Sequence, residues 1–246
     1  MRDEREKILP YKIMPNPNLT APSVDAKALK RVAIVDDHTM MRGGMKLFIE
    51  SLPDFEFAWT SEDAREAMAA LEADVPDILI MDITLPDRNG IELVKDVHAI
   101  YPDLPVLMMS MHDESYYALR ALKAGAKGYL MKSMPNEVYE RALRRVAEGG
   151  TWLSEAMSEQ MVQMYTSGTK REGDDGLEVL TDREFEVFQL IGEGQSTHQV
   201  AAALHISTKT VDVHRSNIRT KLKMEDGSAV VRFAIRWVES RRMAAQ

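Results

Sequence analysis

Four short apolar runs, each followed at once by a polar residue, constrain this chain more than any other feature. The runs occupy residues 32–35, 78–81, 106–109 and 128–131. The polar residues after them are Asp36 with Asp37, Asp82, Ser110 and Lys132. Runs this short and apolar predict strands buried on both faces, as in a parallel sheet covered by helices. Because ligand chemistry in such sheets gathers beyond the carboxyl ends of the strands, these side chains are expected to converge.

Strand and helix patterns alternate five times between Lys30 and residue 150. This alternation predicts an α/β domain, a five-stranded parallel doubly wound sheet of the flavodoxin-like type. The second strand is predicted over 55–59. Apolar spacing and stop signals predict a first helix ended by Pro53 and a fourth ended by Gly125. The later helices are predicted over 61–71, 90–101, 113–124 and from 135 to 149.

From Leu180 the pattern is purely helical and predicts a small all-α domain. Thr181 and Glu184 form a capping box at the start of its first helix. A second helix is predicted over 197–205, and Ser207 caps a third. Because only about three residues separate these two helices, they are predicted to form a helix-turn-helix.

The chain of 246 residues is long enough for two modest domains. Residues 1–29 are predicted to be a disordered, proline-containing extension, and 30–150 the α/β domain. Residues 151–177 read as a linker in which a short helix could lie around Met157 and Met161. Residues 178–246 are predicted to be the helical domain.

Composition excludes several classes of function. The chain has no cysteine, which excludes disulfides and thiolate chemistry and fits the cytoplasm. The apolar runs are far shorter than the roughly twenty residues of a membrane span, and the amino terminus lacks the pattern of a signal peptide. Although the net charge is -8, five basic residues and one acidic residue lie between positions 204 and 223. Such a local basic patch favours nucleic acid as a partner.

The predicted cluster of polar side chains suits transfer of a phosphoryl group onto a carboxylate. Asp82 would be the acceptor, and the repulsion among Asp36, Asp37 and Asp82 would be relieved by Mg²⁺. Lys132 offers a compact positive charge and Ser110 a hydroxyl donor for the phosphate. No pair of His or Cys has the spacing of a transition-metal site, so His38 and His112 are expected at most to tune phosphate access.

The motifs of the α/β domain together resemble the receiver domain of two-component response regulators, and the whole chain resembles the NarL/FixJ subfamily. They are Val-Asp-Asp-His at 35–38, Met-Asp-Ile-Thr-Leu-Pro at 81–86, Leu-Met-Met-Ser-Met-His at 107–112 and Ala-Gly-Ala-Lys-Gly-Tyr-Leu-Met-Lys at 124–132. The resemblance implies that Asp82 is the phosphoacceptor and that Asp37 and Asp82 bind the metal directly. It further implies Asp36 as a ligand through water, the backbone carbonyl of Thr84 as a ligand, and Ser110 with Tyr129 as a switch pair.

Residues 180–215 resemble the LuxR-type DNA-binding domain. If Val211, Ile218 and Leu222 of the third helix face inward, Val213 faces outward, where it could meet a thymine methyl in the major groove. A solitary surface Val is the alternative. Basic side chains would mostly hold phosphates. The candidate DNA-contacting residues are Ser207, Lys209, Thr210, Asp212, Val213, His214, Arg215, Ser216, Arg219 and Lys221.

The last helix, predicted over about 228–238, carries two apolar stripes where a domain this small needs one. The spare stripe of Val231, Ile235 and Val238 indicates a homodimer contact, which suits paired half-sites on DNA. A broader core is the alternative.

These features lead to one hypothesis and two rivals. The hypothesis is a transcription factor that accepts a phosphoryl group from a sensor histidine kinase or a small phosphodonor with Mg²⁺. Phosphorylation would control homodimerisation, binding to double-stranded DNA and contact with RNA polymerase. It would not be an enzyme beyond its own phosphorylation and dephosphorylation. One rival is a DNA-binding regulator that uses its receiver only to dimerise. The other, an aspartate-dependent phosphohydrolase, needs a second Asp where His38 stands.

Overall fold

The amino-terminal domain is an α/β domain built on one parallel sheet. The computed structural model describes residues 28–167 and 176–244. Neighbouring strands follow the order β2-β1-β3-β4-β5, and all of them are parallel. The strands are β1 (Lys30–Val35), β2 (Phe55–Ser61), β3 (Ile78–Asp82), β4 (Val106–Ser110) and β5 (Gly128–Met131). The predicted five-stranded sheet is therefore confirmed, and the predicted extension over 1–29 falls almost wholly outside the described residues.

Helices cover both faces of this sheet. They are α1 (Thr39–Ser51), α2 (Ala64–Ala73), α3 (Gly90–Ile100), α4 (Glu114–Ala124) and α5 (Asn136–Ala147). Alternate strand residues enter different cores, as a period of two requires. Val32 and Ile34 pack with α1 and α5, whereas Ala33 and Val35 belong to the core formed with α2, α3 and α4.

The predicted start of α2 at Ser61 is wrong by three residues. Ser61 is still part of β2, where it pairs with Val35 of β1. The helix begins at Ala64 because the Asp63 side chain accepts a hydrogen bond from the Glu66 N–H and so caps its first turn. The predicted left-handed stop after α4 is confirmed, since Gly125 has a φ of 111°.

Part of the segment predicted as a linker packs against the α/β domain. Trp152 forms a parallel bridge with Gly128 beside β5, and the Ser154 N–H donates to the Glu114 carboxylate. Helix α6 (Glu155–Ser167) follows, with Met157 buried. The anticipated short helix is therefore present and runs for 13 residues. Residues 168–175 of this segment lie outside the described residues.

The carboxyl-terminal domain consists of a short 3-10 turn (Leu177–Val179) and four helices, α7 (Asp182–Gly192), α8 (Thr197–Ala203), α9 (Thr208–Lys221) and α10 (Gly227–Ala244). The predicted capping box of Thr181 and Glu184 is present. Helix α8 ends two residues before the predicted end because His205 takes a left-handed φ of 52°. Helix α10 extends well beyond the predicted 228–238.

The two domains are docked through α7 and the residues just before it. Every residue of α7 is buried, which a small helical domain alone would not require. Asp182 at its start pairs with Lys95 of α3 at 2.6 Å and with Arg120 of α4 at 3.1 Å. The Phe185 ring packs edge-on against Tyr117 of α4, with centroids 5.3 Å apart. The docked domains therefore share one continuous apolar core.

Candidate functional site

Three carboxylates and one ammonium group meet at the carboxyl ends of β1, β3 and β5. One ligand atom each from Asp36, Asp37, His38 and Asp82 lies within 4.8 Å of all the others. The Lys132 ammonium lies 2.7 Å from a carboxylate oxygen of Asp36 and 2.7 Å from one of Asp82. The site therefore holds more negative than positive charge, and its oxygen donors suit a hard divalent cation.

The backbone around Asp82 fixes its carboxylate closely. One carboxylate oxygen accepts from the Ile83 N–H at 2.7 Å, and the other accepts from Lys132. Helix α3 begins directly against this strand end, because the Gly90 N–H donates to the Ile83 carbonyl at 2.6 Å. A Cβ atom at position 90 would stand 1.9 Å from the Asp82 carbonyl oxygen. Glycine is therefore required at this position.

Burial and charge shift the proton affinities of the two paired groups. Burial raises the pKa of Asp82 to about 6; Lys132 lowers it in part and the nearby Asp36 raises it further. Burial lowers the pKa of Lys132, but the carboxylates of Asp82 and Asp36 outweigh that effect and leave it above its ordinary value. Lys132 is thus held charged beside a partly desolvated carboxyl group.

The predicted switch residues both bond to the backbone of His112. The Ser110 hydroxyl accepts from the His112 N–H at 3.1 Å, and the Tyr129 hydroxyl donates to the His112 carbonyl at 2.8 Å. Both side chains are almost fully buried. The His112 ring lies 3.2 Å from the Thr84 hydroxyl, and its centroid is 4.9 Å from that of Tyr117. His112 therefore links the predicted switch pair to α4 and to the segment after β3.

The helical domain contributes residues to this site that the sequence pattern did not reveal. His205, in the turn between α8 and α9, places Nε2 3.3 Å from a carboxylate oxygen of Asp37. Glu186 of α7 is fully buried near Asn89, which caps α3. Both residues are more than 90 positions from the acids, so no local spacing could connect them.

The third helix of the carboxyl-terminal domain, α9, presents a polar surface to solvent. Val211 and Ile218 are buried as predicted, and Val213 is 52% exposed. Ser207 caps the helix by accepting from the Thr210 N–H at 3.0 Å. The other exposed candidates on this surface are Lys209, Asp212, Ser216, Arg219 and Lys221.

Two of the candidate DNA-contacting residues form side-chain contacts with other helices of the domain. Lys221 pairs with Glu184 at 2.6 Å, and Arg215 donates to the Thr197 hydroxyl at 3.0 Å. His214 is half-buried, and burial lowers its pKa. These contacts favour a role in holding α9 against α7 and α8.

The spare stripe predicted on α10 is only partly available. Val238 is 1% exposed and lies against Gly192 of α7, so it belongs to the core of the chain. The expectation that it serves a dimer contact is therefore wrong for the docked arrangement, and the broader core explains it. Val231 and Ile235 are half-buried.

Comparison with known proteins agrees with this architecture. Residues 32–144 match the family described as the response regulator receiver domain, and residues 178–234 match the LuxR family of bacterial regulatory proteins. The fold and site thus define a response regulator in which a receiver precedes a LuxR-type DNA-binding domain. The chain belongs to the NarL/FixJ subfamily of these transcription regulators.

Individual relatives support this assignment along most of the chain. The transcriptional regulatory protein DegU of Brevibacillus brevis is 34% identical over 226 residues, covering 86% of this chain and 96% of that protein. The oxygen regulatory protein NreC of Staphylococcus carnosus is 30% identical and covers 84% and 97%. A LuxR-family response regulator structure from Aurantimonas sp. SI85-9A1 has a TM-score of 0.53 and 30% identity, covering 56% of this chain and 99% of that one. Among the residues that the structure describes, no helix is long and apolar enough to cross a membrane.

Proposed function

We propose that this response regulator accepts a phosphoryl group on Asp82 and that the phosphoryl group controls DNA binding by its carboxyl-terminal domain. The observation that carries the proposal is the Lys132 ammonium, held 2.7 Å from both Asp82 and Asp36 at one end of the sheet. A nucleophilic carboxylate, a cation for phosphate oxygens and further acids for a metal are the groups that such a transfer needs.

Asp36, Asp37, Asp82 and the backbone carbonyl of Thr84 are proposed to hold Mg²⁺. The donor set fits, because three carboxylates share the site with one ammonium group. When bound, the ion would neutralise charge on the transferring group. An Asp82 oxygen forms the new bond to phosphorus, while the bond from phosphorus to the donor breaks and its electron pair leaves with the donor. Lys132 binds the phosphoryl oxygens.

The donor is proposed to be a sensor histidine kinase or a small phosphodonor. With a small donor the chain would catalyse its own phosphorylation, and water attack at the phosphorus would reverse it. Ser110 is proposed to leave the His112 N–H and donate its hydroxyl to the phosphoryl group, and Tyr129 to move with it. The buried position of both hydroxyls supports this role, since neither could move without changing the contacts of His112.

The exposed surface of α9 is proposed to enter the major groove of double-stranded DNA. Val213 would contact a thymine methyl, while Ser207, Lys209 and Arg219 would contact phosphates. Thr210, Asp212, His214, Arg215, Ser216 and Lys221 complete the proposed surface, and Lys221 must leave Glu184 to reach DNA.

The phosphorylated protein would form a homodimer, with Val231 and Ile235 as the remaining dimer candidates on α10, and would act on RNA polymerase in the cytoplasm. The proposed domains are a receiver over 30–150, a linker over 151–177 and a DNA-binding domain over 178–246, after an extension over 1–29.

The test is phosphorylation of the full chain by acetyl phosphate with Mg²⁺. We expect one phosphoryl group per chain, no uptake by Asp82→Asn, and normal uptake by the exposed control Asp87→Asn. DNA affinity, measured on a pool of random sites, should rise on phosphorylation. Undiminished uptake by Asp82→Asn would overturn the acceptor assignment. Uptake without any change in DNA affinity or solution mass would favour the regulator that uses its receiver only to dimerise.

A further inference from the structure

Two histidine rings from different domains contact the two oxygens of the Asp37 carboxylate. The His38 Nδ1 atom lies 2.6 Å from one oxygen, and the His205 Nε2 atom lies 3.3 Å from the other. His38 follows β1 of the receiver, whereas His205 lies in the turn between α8 and α9 of the DNA-binding domain. Spacing along the chain could not reveal this pair, because only docking of the domains brings both rings to one carboxylate.

The phosphoryl chemistry uses neither histidine. Mg²⁺ takes oxygen ligands, which the acids of the site supply, and imidazole suits transition metals instead. The His38 side chain is 65% exposed and the His205 side chain 48% exposed, so packing in a core does not fix either ring. Both rings can therefore turn toward an ion on Asp37 without disturbing buried side chains.

The ligand types around Asp37 match those of an open zinc site. In such sites imidazole nitrogens and a carboxylate oxygen supply three ligands, and water takes the fourth position. The His38 backbone N–H donates to the Asp36 carboxylate at 2.8 Å, which holds this histidine beside the acids. One ligand atom each of Asp36, Asp37, His38 and Asp82 already lies within 4.8 Å of the others. His205 adds a second imidazole from the other domain.

We propose that His38, Asp37 and His205 form a binding site for Zn²⁺ that joins the receiver to the DNA-binding domain. Each domain contributes one imidazole, so the site is complete only when the domains are docked. Zn²⁺ would compete with Mg²⁺ for Asp37, because both ions use that carboxylate. The inference does not require phosphoryl transfer to Asp82, and it is tested on the unphosphorylated chain. Failure of Asp82 to accept phosphate would leave the zinc measurements unchanged, so the two proposals fail separately.

Calorimetric titration of the chelator-treated full chain with Zn²⁺ tests the site. Replacing His38 or His205 by Asn should weaken Zn²⁺ binding about tenfold or more, since each variant removes one imidazole ligand. Asn suits both positions. It tolerates the left-handed φ of 52° at residue 205, and it can cap α1 at residue 38.

His198→Asn is the matched control, because His198 is an exposed histidine of α8 in the same domain. It should bind Zn²⁺ as the parent does. Mg²⁺ affinity, measured in the same way, should change by about twofold or less in His205→Asn, since Mg²⁺ takes oxygen ligands. Unchanged Zn²⁺ affinity in His205→Asn would overturn the inference. Equal losses of Zn²⁺ and Mg²⁺ affinity would also overturn it, because they would indicate general damage to the acidic site.

Hydrogen exchange in α7 gives a second readout, which a zinc site confined to one domain would not change. Because Zn²⁺ bound by both domains stabilises docking, exchange in α7 should slow by about tenfold or more when Zn²⁺ is well above its Kd. In His205→Asn the same addition should leave the exchange rate unchanged. Equal slowing in both proteins, or no slowing in the parent, would contradict a site shared between the domains.

Discussion

The Tyr117 ring of the receiver packs edge-on against the Phe185 ring of the DNA-binding domain, with centroids 5.3 Å apart. Tyr117 also packs against His112, whose backbone binds both Ser110 and Tyr129. Any displacement of these two hydroxyls therefore changes the surroundings of an aromatic contact between the domains. Such packed contacts tend to have discrete alternatives rather than a continuous range of positions.

Replacing Arg120 should weaken docking of the two domains more than replacing a residue of an exposed ion pair does. Its guanidinium donates to the carbonyls of Leu177 and Leu180 and to Asp182, and it lies 4.1 Å from the Phe185 ring centroid. We expect Arg120→Ala to destabilise the docked arrangement by about 2 kcal/mol, since several charge-assisted hydrogen bonds are lost. Faster hydrogen exchange in α7 would report this change. Lys123→Ala, which removes only an exposed pair, should leave the exchange nearly unchanged.

Raising the pH should loosen docking through Glu186. Its pKa is about 7 when docked, against an ordinary value of 4.5. Because the docked state binds the proton more tightly, its stability is greatest below about pH 4.5 and falls as the pH rises to about 7, by at most about 3 kcal/mol. Hydrogen exchange in α7 should become faster over this range. In Glu186→Gln the change should be smaller, and an identical pH profile in both proteins would contradict a role for this carboxyl group in docking.

Lys132 should matter for both stability and phosphorylation. Its side chain is 3% exposed between Asp36 and Asp82. Replacing it with Gln leaves buried acids without their cation, so we expect a loss of about 3 kcal/mol in the free energy of unfolding near pH 7. Phosphate uptake should also fall by about a hundredfold or more, as for loss of an electrostatic stabiliser. Lys127→Gln, at an exposed position just before β5, should change neither the denaturation midpoint nor the uptake rate.

Two glycines should respond to alanine in opposite directions. Gly90→Ala places a Cβ atom against the Asp82 carbonyl and should destabilise the protein by about 1–3 kcal/mol while slowing phosphorylation. Gly43 lies within α1 with open space around it, so Gly43→Ala should stabilise by about 0.5–1 kcal/mol without affecting phosphorylation. Thermal denaturation measures both changes, and equal midpoints for the two variants would argue against the close packing at Asp82.

Val213 and Arg219 should affect DNA binding in different ways. Val213→Ser should weaken binding to the preferred site about fivefold by removing an apolar contact, with no change in salt dependence. Arg219→Ala should weaken binding to all sites and reduce the salt slope by about one. Val179→Ser is the matched control, because Val179 is similarly exposed but lies outside α9. Equal losses for the two Val variants would remove the special role of position 213.

The sequence was sufficient to predict the sheet and the acids because their signals are local. Buried parallel strands need unbroken apolar runs, and the strand ends bring Asp36, Asp82 and Lys132 together wherever the sheet forms. The predicted helix starts were less accurate. A Ser hydroxyl and an Asp carboxylate can both cap a helix, and in the structure Asp63, not Ser61, caps α2. Beyond single elements, periodicity contains no information about which domain surfaces meet.

The docked arrangement could not be predicted for that reason. The sequence predicted Phe185 to be an ordinary core residue of a small helical domain, but only a second domain explains why every side of α7 is buried. The contact of His205 with Asp37 joins residues 168 positions apart. Contacts of this kind depend on tertiary packing, which brings together residues that are far apart in the sequence.

The most direct test of the central claim is the mass and location of the phosphoryl group after treatment of the full chain with acetyl phosphate and Mg²⁺, measured together with DNA affinity. We predict one acyl phosphate on Asp82 and tighter binding to the preferred DNA site. Phosphate on another residue, or full occupancy of Asp82 with unchanged DNA affinity, would contradict the account.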